Sequence, residues 1–333
     1  MGPYPYSPLD LGRPSIRLLR IQQGEWFDDI ICQLFESCAD EEEGVPYRAL
    51  SYTWGGCQHR PVEGLPRVLV DGHEIGLTEN LYNALRHIRP RNRDLILWVD
   101  AICINQNNPQ EKGHRVRHMG GIYKGAEEVL VWLGLGDDAS DYLLGLVSWI
   151  ESEATEASAM ERRDRRAEHC CRHMNRWRAN SNKRVLLRLN QAFRELLERP
   201  WFTRVWVLQE IAHAKTARIL CGCRSCPART FALMPQLLGL KIKSHARAVL
   251  DIMPRFRKTM WYSSKPQLHV LLNKFAASQA FLPRDKIYAL LSISQDACDP
   301  QKFYPSYQKD DTEIFRDIAS FLLYTTQEPS WRN

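Results

Sequence analysis

An α/β domain with a mainly parallel central sheet is what this sequence predicts, on three observations. Two runs, "DLILWVDAICI" (94–104) and "EVLVWLGLG" (128–136), are apolar throughout, as strands buried on both faces must be. Helical segments lie between such runs, the clearest being "ENLYNALRHI" (79–88), with Leu81, Leu85 and Ile88 on one face. From residue 47 the elements read strand, hairpin, helix, strand, helix, strand. That alternation builds a three-layer domain.

The elements follow in order. "MGPYPYSPLDLGRPS" (1–15) is rich in Pro and Gly, lacks an apolar signal-type run and is expected to be a flexible leader. Tyr6 stands where a myristoylated terminus needs Ser or Thr. "IRLLRI" (16–21) and "DIICQLF" (29–35) read as a strand pair, so 1–46 is taken as leader plus strand pair. After an acidic loop, "YRALSYTWGG" (47–56) is a strand ending in a Gly-Gly turn. In "RVLVDGHEIGLT" (67–78), Asp71-Gly72 marks a hairpin, since both turn positions need positive φ. Thr78 can cap the helix that follows, and Pro90 stops it. A helix opens at Pro109, although Gly120 and Gly121 weaken it.

"DASDYLLGLVSWIES" (138–152) reads as a helix. Between 160 and 190, ten Lys/Arg stand against three acids, so 153–189 is expected to be a basic insertion, irregular or exposed, off the sheet. It is either a phosphate- or RNA-binding arm or a solvated insertion. Trp177 is the one aromatic there, too little for a stacking ladder, and nucleic acid is not expected. The pattern is helical on either side of Pro200, and "ARILCG" (217–222) is the last expected strand, ending the domain 47–222. Residues 223–333 read as a mostly helical region, and the chain stops after "SFLLYTTQEPSWRN", short of an expected domain end.

The formal charge of +6 is mild. Ten cysteines without a small-domain framework imply reduced thiols and a cytoplasmic protein. No stretch of 18 apolar residues predicts a membrane span.

Ligands of open α/β sheets sit beyond the carboxyl ends of the strands. Ser51, Tyr52, Trp54 and Gly55 fall just past such an end, where glycine admits a phosphate and an indole can stack on a base. The alternative is a tight turn with a packed indole. Asp100, near the end of the next strand, either binds ribose or caps a turn. Cys103 with His114 as base would make a nucleophile, against the plainer reading of a buried thiol. Cys221, Cys223 and Cys226, with "HCCRH" (169–173) upstream, have too few regularly spaced ligands to specify zinc, and no metal is assigned. Glu210 is the one acid in the apolar run "FTRVWVLQEIA" (202–212). It either does chemistry or pairs locally with Arg204 or His213 and holds its helix.

Four ordered blocks, "YRALSYTWGG", "LWVDAICINQ", "MGGIYKGAEEVLVWLG" and "RPWFTRVWVLQEIAHA", with "PRDKIYALLSIS" downstream, resemble the heterokaryon-incompatibility (HET) domain of filamentous fungi. The resemblance implies nonself recognition and programmed cell death, self-association, a fungal incompatibility partner protein, and a TIR-like, flavodoxin-like fold. TIR enzymes that cleave NAD⁺ carry a Trp-Cys-x-x-Glu element. Trp206 and Glu210 match its spacing, with Val207 in place of the Cys. The resemblance therefore implies Glu210 as catalytic carboxylate, Trp206 beside the ligand, NAD⁺ as substrate and no required cofactor. The alternative is a TIR-like adaptor without chemistry.

Overall fold

The computed structural model describes residues 4–10, 12, 15–39, 44–54, 64–160, 165–254, 266–298, 305 and 309–326. Within these, β1 (Ser15–Ile21), β2 (Ile31–Cys38), β3 (Arg48–Ser51), β4 (Arg67–Val70), β5 (His73–Gly76), β6 (Leu95–Trp98), β7 (Glu128–Trp132), β8 (Ala217–Cys221) and β9 (Arg224–Pro227) form one sheet. Its spatial order is β5-β4-β2-β1-β6-β3-β7-β8-β9.

Four strands, β6-β3-β7-β8, are mutually parallel. They run second, first, third, fourth in chain order. β6 is interior, between β1 and β3, as its apolar run requires. The sheet as a whole is mixed rather than mainly parallel. β1 runs antiparallel to both β2 and β6, β4 to β5, and β9 to β8. The reason lies in β1: Ile16, Leu18, Leu19 and Ile21 are all buried, so the N-terminal strand pair joins the sheet and not merely its surroundings. The sheet therefore runs across both boundaries expected at 46/47 and 222/223, and β9 is a strand beyond "ARILCG".

The helices are α1 (Glu79–Ile88), α2 (Asp100–Cys103), α3 (Pro109–Gly125), α4 (Asp138–Met160), α5 (Arg166–Ala179), α6 (Lys183–Leu197) and α7 (Val207–Ala212). Then come α8 (Ala228–Phe231), α9 (Met234–Leu238), α10 (Ser244–Ile252), α11 (Leu268–Lys274), α12 (Asp285–Leu291) and α13 (Asp311–Thr326). None of them is long and apolar enough to cross a membrane.

Both faces of the parallel strands are covered. Register puts Trp98, Ala49 and Val129 on one face, with Ser51 beside them two residues along β3. Here Tyr123 of α3 meets the Trp98 ring edge-on, and α7 reaches Ser51. Trp132 lies on the other face, where its indole N–H donates to Asn80 Oδ1 of α1 at 2.9 Å. Thr78 caps α1 by accepting from the Leu81 N–H. Asp71 and Gly72 have φ of 49° and 78°, the positive values a two-residue hairpin needs.

Gly120 does not interrupt α3. A β-carbon there would come within 2.9 Å of His213 Nε2, so the missing side chain lets α3 approach the end of α7.

The expected irregular insertion is regular instead. Residues 153–189 fall largely in α4, α5 and α6, with α4 packed against β9 and α5 against α4. Leu189, Ala192, Phe193, Leu196 and Leu197 form the buried stripe of α6, at helical spacing. The described arginines of the segment are exposed, apart from the half-buried Arg166. Arg162 and Arg163 lie outside the described residues.

Candidate functional site

β3 delivers Ser51 as its last residue, fully buried, against α7. The Ser51 hydroxyl donates to Glu210 Oε2 at 2.5 Å and accepts from the Trp201 indole N–H at 2.8 Å. Trp201 sits in a short 3₁₀ turn, Pro200–Thr203, that breaks the chain between α6 and α7. Glu210 is 1% exposed, and its Oε1 accepts no hydrogen bond among the described residues. Arg204 Nη1 lies 3.8 Å from that oxygen. Burial raises the Glu210 carboxyl from its ordinary 4.5 to about 7, against the lowering pull of Arg204. Asp100 adds to the rise, while the Ser51 and Tyr123 hydroxyls oppose it.

Arg204 joins Glu210, Tyr52 and Asp100 into one network. Nη1 also donates to the Tyr52 carbonyl, and Nη2 lies 3.8 Å from Asp100 Oδ2. Burial works against its charge, but Glu210 and Asp100 outweigh this and raise its pKa. Asp100, the first residue of α2, accepts from the Trp54 indole N–H at 2.8 Å through Oδ2 and from the Ala101 N–H at 2.8 Å through Oδ1. It is therefore both a turn cap and an indole anchor. A matching pair stands opposite in sequence: the Trp206 indole N–H donates to Asp285 Oδ2 at 3.3 Å.

These groups surround a cleft of about 480 Å³. Trp54, Asp100, Arg204, Trp206 and Asp285 line it, with Lys112 and Phe281. Such a volume suits a small-molecule ligand. Trp54, Asp100 and Trp206 thus line one cleft. Ser51, Tyr52 and Glu210 do not line the cleft. They are buried behind it, because Arg204 lies on the cleft wall and reaches Glu210 from there. Gly55 lies outside the described residues. None of the described arginines of the basic segment lines the cleft.

Arg204 was legible only as a local partner of Glu210, and its reach to Asp100 and Tyr52 depends on chain neighbours about a hundred residues or more apart. Phe281 and Asp285 carried no chemical signal in the sequence.

Two other candidates take plain roles. Cys103 is buried, and burial pushes its thiol up to about 12, far from a thiolate nucleophile. Cys221 and Cys226 are buried on neighbouring strands while Cys223 is exposed. Among the described residues no three His, Cys, Asp or Glu side chains are grouped to hold a metal. A chelator is expected to leave the melting temperature unchanged, and a fall of several degrees would reverse that reading.

Ser51→Ala removes the acceptor of a buried indole N–H and a donor to a buried carboxylate. It is expected to cost about 2–3 kcal/mol in urea unfolding, since groups left unsatisfied cost more than the bond itself.

The family model described as "Heterokaryon incompatibility protein (HET)" matches residues 47–210, from just before β3 to Glu210. That segment is just under half of the chain, and together with the relative below it supports a fungal HET-domain protein. The chain is similar to "Heterokaryon incompatibility protein 6, OR allele" of Neurospora crassa, with 26% identity over 367 aligned positions. The alignment covers 96% of this chain and 54% of the relative, so the chain spans about half that relative's length. No solved structure matches it.

Proposed function

We propose that this chain acts in fungal nonself recognition and cell death, and that its cleft binds NAD⁺ or a related nucleotide and cleaves the nicotinamide–ribose bond. The observation that carries the reading is a buried carboxylate, Glu210, with its pKa raised to about 7, directly behind a two-indole cleft beyond the end of β3. The strand order second-first-third-fourth supports a flavodoxin-like winding, in which ligands sit at this edge.

The chemistry asks for one carboxylate. The bond breaks toward an oxocarbenium-like state. The departing pyridinium becomes neutral nicotinamide, so no acid has to protonate it. Ionised Glu210 would stabilise the ribosyl cation, and Asp100 would meet ribose hydroxyls. Water then bonds to the anomeric carbon of the cation and releases a proton to solvent, giving ADP-ribose. Arg204 must first leave Glu210. A ligand phosphate is a better partner for a guanidinium than a carboxylate at 3.8 Å without a hydrogen bond. In this reading the dinucleotide itself exposes the working group.

The second reading, a self-associating adaptor without chemistry, is favoured by one observation: Glu210 is 1% exposed and off the cleft surface. Product analysis separates the two. Purified chain incubated with NAD⁺, at low and high protein concentration, is expected to yield nicotinamide and ADP-ribose in equal amounts. NAD⁺ left intact at both concentrations, with self-association detected, supports the adaptor.

A further inference from the structure

The cleft has a wall that the matched family segment does not supply. That segment ends at 210, while Phe281 and Asp285 line the same cleft from the far side of the chain. The stretch 279–285 is pinned to 203–206 at both ends. The Val205 N–H donates to the Gln279 carbonyl at 2.9 Å, and the Gln279 N–H to the Thr203 carbonyl at 2.6 Å. At the other end, Asp285 accepts from the Trp206 indole.

Between these pins stands Phe281, on the cleft lining yet 77% exposed. A lone exposed aromatic needs no explanation. This one is held by its backbone beside a cleft that already contains Trp54 and Trp206, and a flat aromatic face is worth most where a flat ligand can cover it. Lys112, exposed on the same lining, adds a cation for an anionic tail. Asp100 and Asp285, the acids of that lining, are each engaged by an indole N–H.

We infer that Phe281 is a ligand-binding residue that stacks on the planar heteroaromatic ring of a nucleotide, with Lys112 on its phosphate. The residues after the family segment then set the affinity for substrate. This assignment rests on the nucleotide reading of the cleft and gives it a specific contact.

The test is calorimetric titration of the full chain and of Phe281→Ala, Phe281→Trp and Trp54→Ala with NAD⁺, nicotinamide mononucleotide and adenosine monophosphate. Phe281→Ala is expected to weaken NAD⁺ on the order of 10-fold, the effect of losing one stacked base. It should leave the melting temperature unchanged, because the side chain is exposed. Phe281→Trp should restore binding to within a few-fold of wild type. The mononucleotide whose affinity falls with Phe281→Ala identifies the stacked ring. If wild type and Phe281→Ala bind NAD⁺ equally while Trp54→Ala does not, the Phe281 assignment is wrong and the cleft reading stands. If none of the three nucleotides binds wild type, both are wrong.

Discussion

Replacing Glu210 with Gln is expected to lower nicotinamide release on the order of 10²–10³-fold, about 3–4 kcal/mol of barrier, while the protein stays folded. That loss is typical for one well-placed electrostatic stabiliser of a developing charge. The amide keeps the volume of the carboxyl and an oxygen that can accept from the Ser51 hydroxyl. Arg204 keeps Asp100 and the Tyr52 carbonyl. The variant also escapes a penalty. The folded-state pKa of about 7 lies above the ordinary 4.5, so the native state holds a proton that the unfolded chain releases between those values. Wild-type stability should therefore fall as pH rises from about 4.5 and level off above about 7, a contribution of about 3 kcal/mol. In Glu210→Gln that slope should vanish. Melting curves at pH 5.5 and 8 measure it. A variant that unfolds at both values would make Glu210 a structural residue.

Replacing Arg204 with Ala is expected to be the most destabilising change in the site. Glu210 and Asp100 are 1% and 6% exposed, and Arg204 is the cation that both share. Removing one partner of such a group leaves uncompensated buried charge, about 3–5 kcal/mol. The cost should depend on pH. Arg204 lowers the Glu210 pKa, so without it Glu210 titrates higher still. At pH 5.5 Glu210 is protonated with or without Arg204 and the loss should be smaller; it should grow as pH rises past about 7 and be larger at pH 8. Urea unfolding at the two pH values measures the difference. Equal losses at both would mean that Arg204 supports the fold through Asp100 and the Tyr52 carbonyl rather than through Glu210.

What the sequence makes legible here follows from how local each signal is. Asp71-Gly72 specifies its turn by itself, and Thr78 caps α1 with its own hydroxyl. β6 and β7 announce themselves because apolar runs with no polar face have to be buried on both sides. Neighbour choice is another matter. Nothing in "IRLLRI" says that it pairs antiparallel with β6, since a strand's side-chain pattern is the same for either neighbour and direction. The helical pattern before Pro200 is plain in Phe193 and Leu196, but in 183–189 the basic residues mask Leu189, which continues the same stripe.

The site divides along the same line. Trp54, Asp100 and Trp206 converge because each follows a strand or opens a helix at one edge of the sheet. The position of Glu210 behind Arg204 was not legible, because it depends on how the turn at Pro200–Thr203 aims α7 at Ser51. The wall at 279–285 depends on backbone bonds across some 75 residues of chain.

The most direct test of Glu210 as the working carboxylate is the pH dependence of kcat/KM for nicotinamide release, which reports ionisations of the free enzyme. With Glu210 needed as its anion and its pKa near 7, the rate should climb tenfold per unit at acid pH, bend near 7 and level off by about pH 8. A profile flat from pH 5.5 to 8.5, or no nicotinamide at any pH, would contradict it.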